Sequence, residues 1–119
     1  KWPGMPGSER AGVLRRAADL LEDRRAFFMA LMSREAGKTL PDALGEVREA
    51  VDFCRYYAAL CEQHFSGAEA LVGPTGESNE LSLVGRGAFV CISPWNFPLA
   101  IFRFEASHKH DVGCSIENV

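Results

Sequence analysis

The chain has 119 residues, enough for one small domain and too few for two. Hydrophobic content of 47%, charged content of 24% and a net charge of −3 fit a soluble globular chain and argue against a basic nucleic-acid surface. No apolar run approaches a transmembrane helix in length. The four cysteines are scattered without a CxxC pair, which speaks against a structural zinc site and for a reduced, cytoplasmic setting.

Residues 1 to 7 are rich in Pro and Gly and read as loop. The start, Lys1-Trp2-Pro3-Gly4, has no signal-peptide pattern and reads as the middle of a longer chain. Ser8 is the expected N-cap of a first helix, with Glu9 in its positive first turn. Val13, Leu14, Ala17, Ala18 and Leu21 fall on one face of that helix, which runs to about Asp23. A second helical run, about Arg25 to Glu35, is expected to bury Phe27, Phe28, Leu31 and Met32, with Gly37 as its stop. Pro41 opens the longest helix, which runs to about Gln63, with Thr39 or Leu40 near the cap. Leu44, Val47, Val51, Cys54, Ala58 and Cys61 alternate steps of three and four, a single stripe suited to core packing and too short for a coiled coil.

From Ser66 to Asn79 the composition predicts a loop. Glu80 to Val84 alternates and predicts a strand, and Gly85-Arg86-Gly87 turns the chain into Ala88 to Ile92. Strands joined in this way form a hairpin or lie in adjoining sheets. Ala88 to Ile92 is a short apolar run and reads as a buried strand. Pro94 ends any sheet ladder, because it has no N–H and its φ is fixed. Pro98 restricts Phe97 to extended geometry and can itself begin a helix, here to about Phe102. Strand, rigid loop and helix start describe the place where open α/β sheets bind ligands. Asn96 sits in the middle of that loop. Its amide can face a developing negative charge, or it can bond its own backbone as turn asparagines do.

Ser93-Pro94-Trp95-Asn96-Phe97-Pro98-Leu99 resembles the PWNFP motif of the NAD(P)-dependent aldehyde dehydrogenases. Arg34-Glu35-Ala36-Gly37-Lys38-Thr39, Glu46 to Phe53 and Tyr56-Tyr57-Ala58 resemble the glutamate-semialdehyde (1-pyrroline-5-carboxylate) dehydrogenase branch. Gly73 to Glu80 and Gly85-Arg86-Gly87 are similar to the dehydrogenase half of the bifunctional proline utilization A enzymes. The resemblance covers about residues 8 to 102. It implies an α/β parent with a Rossmann-like NAD domain, of which these residues form an α-rich N-terminal part with short strands. Residues 103–119 then form a divergent tail.

The resemblance also implies roles. Asn96 would stabilise the oxyanion when a thiol adds to the aldehyde, alongside a backbone N–H. Ile92, Ser93, Pro94 and Trp95 would line the NAD groove, although strand-end packing accounts equally well for Ile92. Phe97 would stand beside the aldehyde tunnel, whereas a lone Phe is more often core. Glu49 would border the substrate pocket; off the apolar stripe, it also reads as an exposed helix Glu paired at i±4. The substrate would be a small aldehyde and the parent a homo-oligomer. The reaction would be oxidation of L-glutamate γ-semialdehyde to L-glutamate with NAD, in proline catabolism. Alternatives are another aldehyde dehydrogenase, or a non-catalytic helical interaction module.

Cys54, Cys61 and Cys91 read as small core hydrophobes, and Cys114 does not resemble the family's nucleophile context. The nucleophile and its base are expected further along a longer chain, so these residues alone are expected to be inactive. His108, His110 and Asp111 lack a third ligand at a convincing spacing, and no metal site is expected there.

Overall fold

A computed structural model describes residues 4–84, 92 and 94–101. The order is α1 (Gly7–Asp23), α2 (Arg25–Ala36), α3 (Leu40–His64), β1 (Glu69–Val72) and β2 (Ser78–Leu81). The described part is thus helix-rich with two short strands, as the sequence leads one to expect.

Helix α1 starts one residue before the expected cap. Pro6 holds φ −55° and ψ 147° and occupies the N-cap position without a side-chain bond. Its carbonyl accepts the N–H groups of Glu9 and Arg10 at 3.1 and 3.2 Å. With two first-turn donors taken up by this carbonyl, Ser8 does not act as the cap and lies exposed inside the helix. Ala11, Leu14, Ala18 and Leu21 are buried on the helix's inner face, while Val13 and Ala17 are half-buried.

Helix α3 is capped as its sequence predicts. The Thr39 hydroxyl oxygen accepts from the Asp42 N–H at 3.3 Å, and Pro41 sits in the first turn, where its missing N–H costs nothing. The stripe is wider than its apolar residues alone foretell. Val47, Val51, Cys54, Ala58 and Cys61 are buried, Leu44 is half-buried, and Ala43, Glu46, Ala50 and Tyr57 are buried with them.

Helix α1 runs antiparallel along α3: Gly7 lies against Cys61 and Phe65, Arg15 pairs with Glu62, and Arg55 pairs with Glu22. Two buried clusters form this seam. One joins Ala11 and Leu14 to Tyr57, Ala58 and Cys61. The other joins Ala18, Leu21 and Met32 to Ala43, Val47, Ala50, Val51 and Cys54, with Leu99 packed against it. Leu21 is among the largest fully buried side chains, and truncating such a residue to Ala costs ~2–5 kcal/mol. Cys54 and Cys61 are buried, as small core residues should be.

Helix α2 corrects an expectation. Gly37 ends it in the left-handed region, at φ 65°, but only Met32 is buried. Phe28 and Met29 are half-buried, Phe27 is 61% exposed and Leu31 is also exposed. One face of this 12-residue helix meets α3, and that contact leaves Phe27 and Leu31 exposed.

The expected loop at Ser66 to Asn79 holds most of a hairpin. β1 and β2 pair antiparallel, Glu69 opposite Leu81 and Val72 opposite Ser78. Gly76 takes φ 80° in the turn, and the Thr75 hydroxyl donates to Glu77 Oε1 at 2.6 Å. The strand expected at Glu80 to Val84 is therefore shifted: Ser82, Leu83 and Val84 are exposed and irregular. Every residue of both strands is exposed, so no buried face announced them by alternation. Residues 85–91 lie outside the described residues, and with them the expected Gly85-Arg86-Gly87 turn, most of the Ala88 to Ile92 strand, and Cys91.

Candidate functional site

The loop fenced by Pro94 and Pro98 is tied down from three sides. Its own backbone closes a turn: the Phe97 N–H donates to the Pro94 carbonyl at 3.3 Å. Trp95 and Asn96 therefore occupy the two central positions of a four-residue turn. Both are exposed, Trp95 at 82%. Among the described residues the Asn96 side chain makes no hydrogen bond, so it does not bond its own backbone in the manner of a turn asparagine.

The second tie comes from α3. Glu46 Oε2 accepts the backbone N–H groups of Leu99 at 3.1 Å and Ala100 at 3.3 Å. Ala100 and Ile101 are helical, so this carboxylate satisfies donors at the start of a helical turn, where negative charge is favourable. Glu46 is 3% exposed, and a carboxylate at that depth needs a counter-charge. Lys38 supplies it, its ammonium lying directly against Glu46 Oε1, which has no other partner among the described residues. The third tie is the same ammonium, 4.5 Å from the centroid of the Phe97 ring, within reach of a cation–π attraction.

Beside the loop, Phe28, Leu31, Met32 and Ala36 of α2 face Trp95, Pro98 and Leu99 across an open, mainly apolar cleft of about 390 Å³. The expected site residues thus separate into groups. Pro94, Trp95, Asn96 and Phe97 share the one turn. Ile92 is 85% exposed and outside any strand, which departs from the buried strand end expected of it. Ser93 lies outside the described residues. Glu49 is exposed on α3, one helical turn beyond Glu46. Phe97 is neither core nor free: it is 40% exposed and covered by Lys38. His108, His110, Asp111 and Cys114 lie outside the described residues, among which no three His, Cys, Asp or Glu side chains could jointly hold a metal ion. No described helix is long and apolar enough to cross a membrane.

Lys38 and Glu46 are the residues that sequence reasoning missed. A signal existed. Ala43, Glu46, Val47, Ala50 and Cys54 follow one another at helical steps of three, one, three and four, which places a carboxylate in the buried stripe. A charged residue in such a position implies a buried partner.

The sequence model of the aldehyde dehydrogenase family matches residues 1–116. The bifunctional protein PutA of Salmonella typhimurium is 46% identical over 116 residues, covering 97% of this chain and 8% of that protein. The 1-pyrroline-5-carboxylate dehydrogenase of a Geobacillus species is 40% identical over 100 residues, 84% of this chain and 19% of that one. A crystal structure of bifunctional proline utilization A (PutA) superposes with a TM-score of 0.92 at 56% identity, over 97% of this chain and 12% of that one. A Thermus 1-pyrroline-5-carboxylate dehydrogenase with bound NAD gives 0.89 at 36% identity, over 97% and 22%. The chain spans less than a quarter of the length of each of these relatives. On this match of sequence and backbone, the chain belongs to the aldehyde dehydrogenase family.

Proposed function

We propose that these residues are part of an NAD-dependent dehydrogenase that oxidises L-glutamate γ-semialdehyde, the open form of 1-pyrroline-5-carboxylate, to L-glutamate in proline catabolism. Support comes from the names of the relatives and from one observation above all. Asn96 stands exposed in a turn closed by a backbone hydrogen bond, with its side-chain amide uncommitted among the described residues. A donor held in this way can meet charge as it develops, without first giving up another partner.

In this reading the Asn96 amide donates to the aldehyde oxygen as it becomes an oxyanion. Phe97 and Glu49 belong to the substrate side. Ile92, Ser93, Pro94 and Trp95 form part of the cofactor wall. The residues present fit one face of such a wall, since Ile92 and Trp95 are both exposed apolar side chains. NAD, when bound, supplies the hydride acceptor. Residues 1–102 would form the N-terminal part of the dehydrogenase domain, with 103–119 as a separate tail. A homo-oligomeric parent and a cytoplasmic setting complete the reading, the latter supported by four cysteines scattered without a CxxC pair.

The experiment is Asn96→Ala in the dehydrogenase that contains this chain. Loss of one oxyanion donor should lower kcat by ~10²–10³-fold and leave the NAD dissociation constant nearly unchanged. An unchanged kcat with collapsed NAD binding would make Asn96 a cofactor-loop residue.

A further inference from the structure

Nothing in the packing of α1 on α3 calls for a carboxylate at Glu46. The neighbouring stripe positions hold Ala43, Val47 and Ala50, and an apolar side chain would fill the same space. The carboxylate has instead three specific contacts, and all of them lead to the turn. Oε2 takes the N–H groups of residues three and four places after Asn96. Oε1 faces Lys38, whose ammonium also covers the ring of the residue directly after Asn96. Phe97 in turn closes the turn onto Pro94. The chain after Asn96 is therefore bound to α3 through one buried ion pair.

We propose that Glu46, with Lys38 as its counter-charge, is a positioning residue for the Asn96 turn. In this role it acts through the backbone of the turn and not on the reacting atoms. It transfers the rigidity of a 25-residue helix to a loop that has little secondary structure of its own. A donor serving an oxyanion must be held to within ~0.5 Å, and misplacement by ~1 Å costs about 10²-fold in rate. The kinetic part of this proposal rests on the oxyanion reading of Asn96, whereas the tether itself does not.

Charge logic supplies the test. In Glu46→Gln a single amide oxygen has to serve both Lys38 and the two N–H groups. If it turns toward the backbone, its NH2 meets the ammonium, donor against donor. The turn should loosen. In the double variant Lys38→Met with Glu46→Gln that conflict is gone, and the amide oxygen is free to accept from Leu99 and Ala100.

Amide hydrogen exchange at Leu99 and Ala100 reads the tether directly. Exchange should quicken by about tenfold or more in Glu46→Gln and return to within about threefold of the parent in the double variant. In the intact dehydrogenase, kcat should fall by about tenfold or more in Glu46→Gln and recover in the same order. The KM for the aldehyde should move less than about threefold, because the turn's placement matters most where charge develops. Unchanged exchange in Glu46→Gln, or no recovery in the double variant, overturns the proposal. Exchange that follows the pattern while kcat stays constant supports the tether and overturns the oxyanion reading of Asn96. In the unaltered chain, the Leu99 and Ala100 amides should exchange more slowly than those of Trp95 and Asn96. Equal rates overturn the tether whichever variants fold.

Discussion

Gly7 passes so close to Phe65 that a Cβ added to Gly7 would lie 2.8 Å from the Phe65 Cβ. The same atom would lie 2.9 Å from the Phe65 carbonyl oxygen and 3.0 Å from that of Cys61. Two of these neighbours are backbone, so a flexible side chain cannot simply turn away. The Cys61 thiol meanwhile donates to the Gly7 carbonyl at 3.4 Å, which fixes the approach. The start of α1 and the end of α3 are thereby pinned together.

Gly7→Ala should therefore destabilise the fold, although alanine is the better helix former by ~1 kcal/mol. Forcing the helix ends apart should outweigh that gain, for a net loss of ~1–2 kcal/mol. Urea denaturation checks the sign: a raised midpoint would show that the ends yield easily.

Thr39→Ala should cost about 1 kcal/mol, the usual loss for an N-cap hydroxyl. The loss should be partly recovered in Thr39→Ser, which keeps the oxygen that accepts from Asp42. A thermal melt that ranks Thr above Ser above Ala confirms this. Equal values for Ser and Ala would place the contribution of Thr39 elsewhere.

The Arg15 guanidinium grips the Glu62 carboxylate, with Nη2 to Oε2 at 2.7 Å, and holds its pKa below the ordinary 4.5. A carboxyl whose folded pKa is depressed contributes stability above its unfolded value, and that contribution is lost as pH falls through the folded one. Glu62→Gln should thus be slightly less stable than the parent near neutral pH, and the two should converge as pH falls, which gives the variant the shallower acid limb. The pair is solvent-exposed, so the effect should be small and should shrink in 1 M salt. Parallel stability curves for the two proteins between pH 3 and 6 would show that the ion pair contributes nothing.

The 119 residues by themselves should oxidise no aldehyde. Cys54 and Cys61 have no exposed surface, so neither described thiol can reach a substrate. NADH formation with glutamate semialdehyde should match the no-protein control. Turnover that disappears in Cys114→Ala would make that thiol a nucleophile.

Periodicity showed what hydrophobic burial alone decides, and little else. Helices α1 and α3 were legible because Leu14, Ala18 and Leu21 on one side, and Val47, Val51, Cys54 and Cys61 on the other, repeat at the helical step. The same signal misled at α2, where Phe27 and Leu31 are apolar yet uncovered. It was silent at Glu69–Val72, whose residues face solvent on both sides. The turn of Asn96 was legible from its two prolines. Its tether was not, because only the fold shows that the backbone N–H groups of Leu99 and Ala100 come to rest over Glu46.

The sequence distance in that tether has a consequence for assembly. Glu46 and Leu99 are 53 positions apart, with the rest of α3 and the whole hairpin between them. Synthesis proceeds from the N-terminus, so α3 and its carboxylate exist before Leu99 is made. Lys38 comes earlier still and can neutralise Glu46 while the oxygen meant for the turn waits. The helical layer therefore acts as a mould, and the turn is cast on it last.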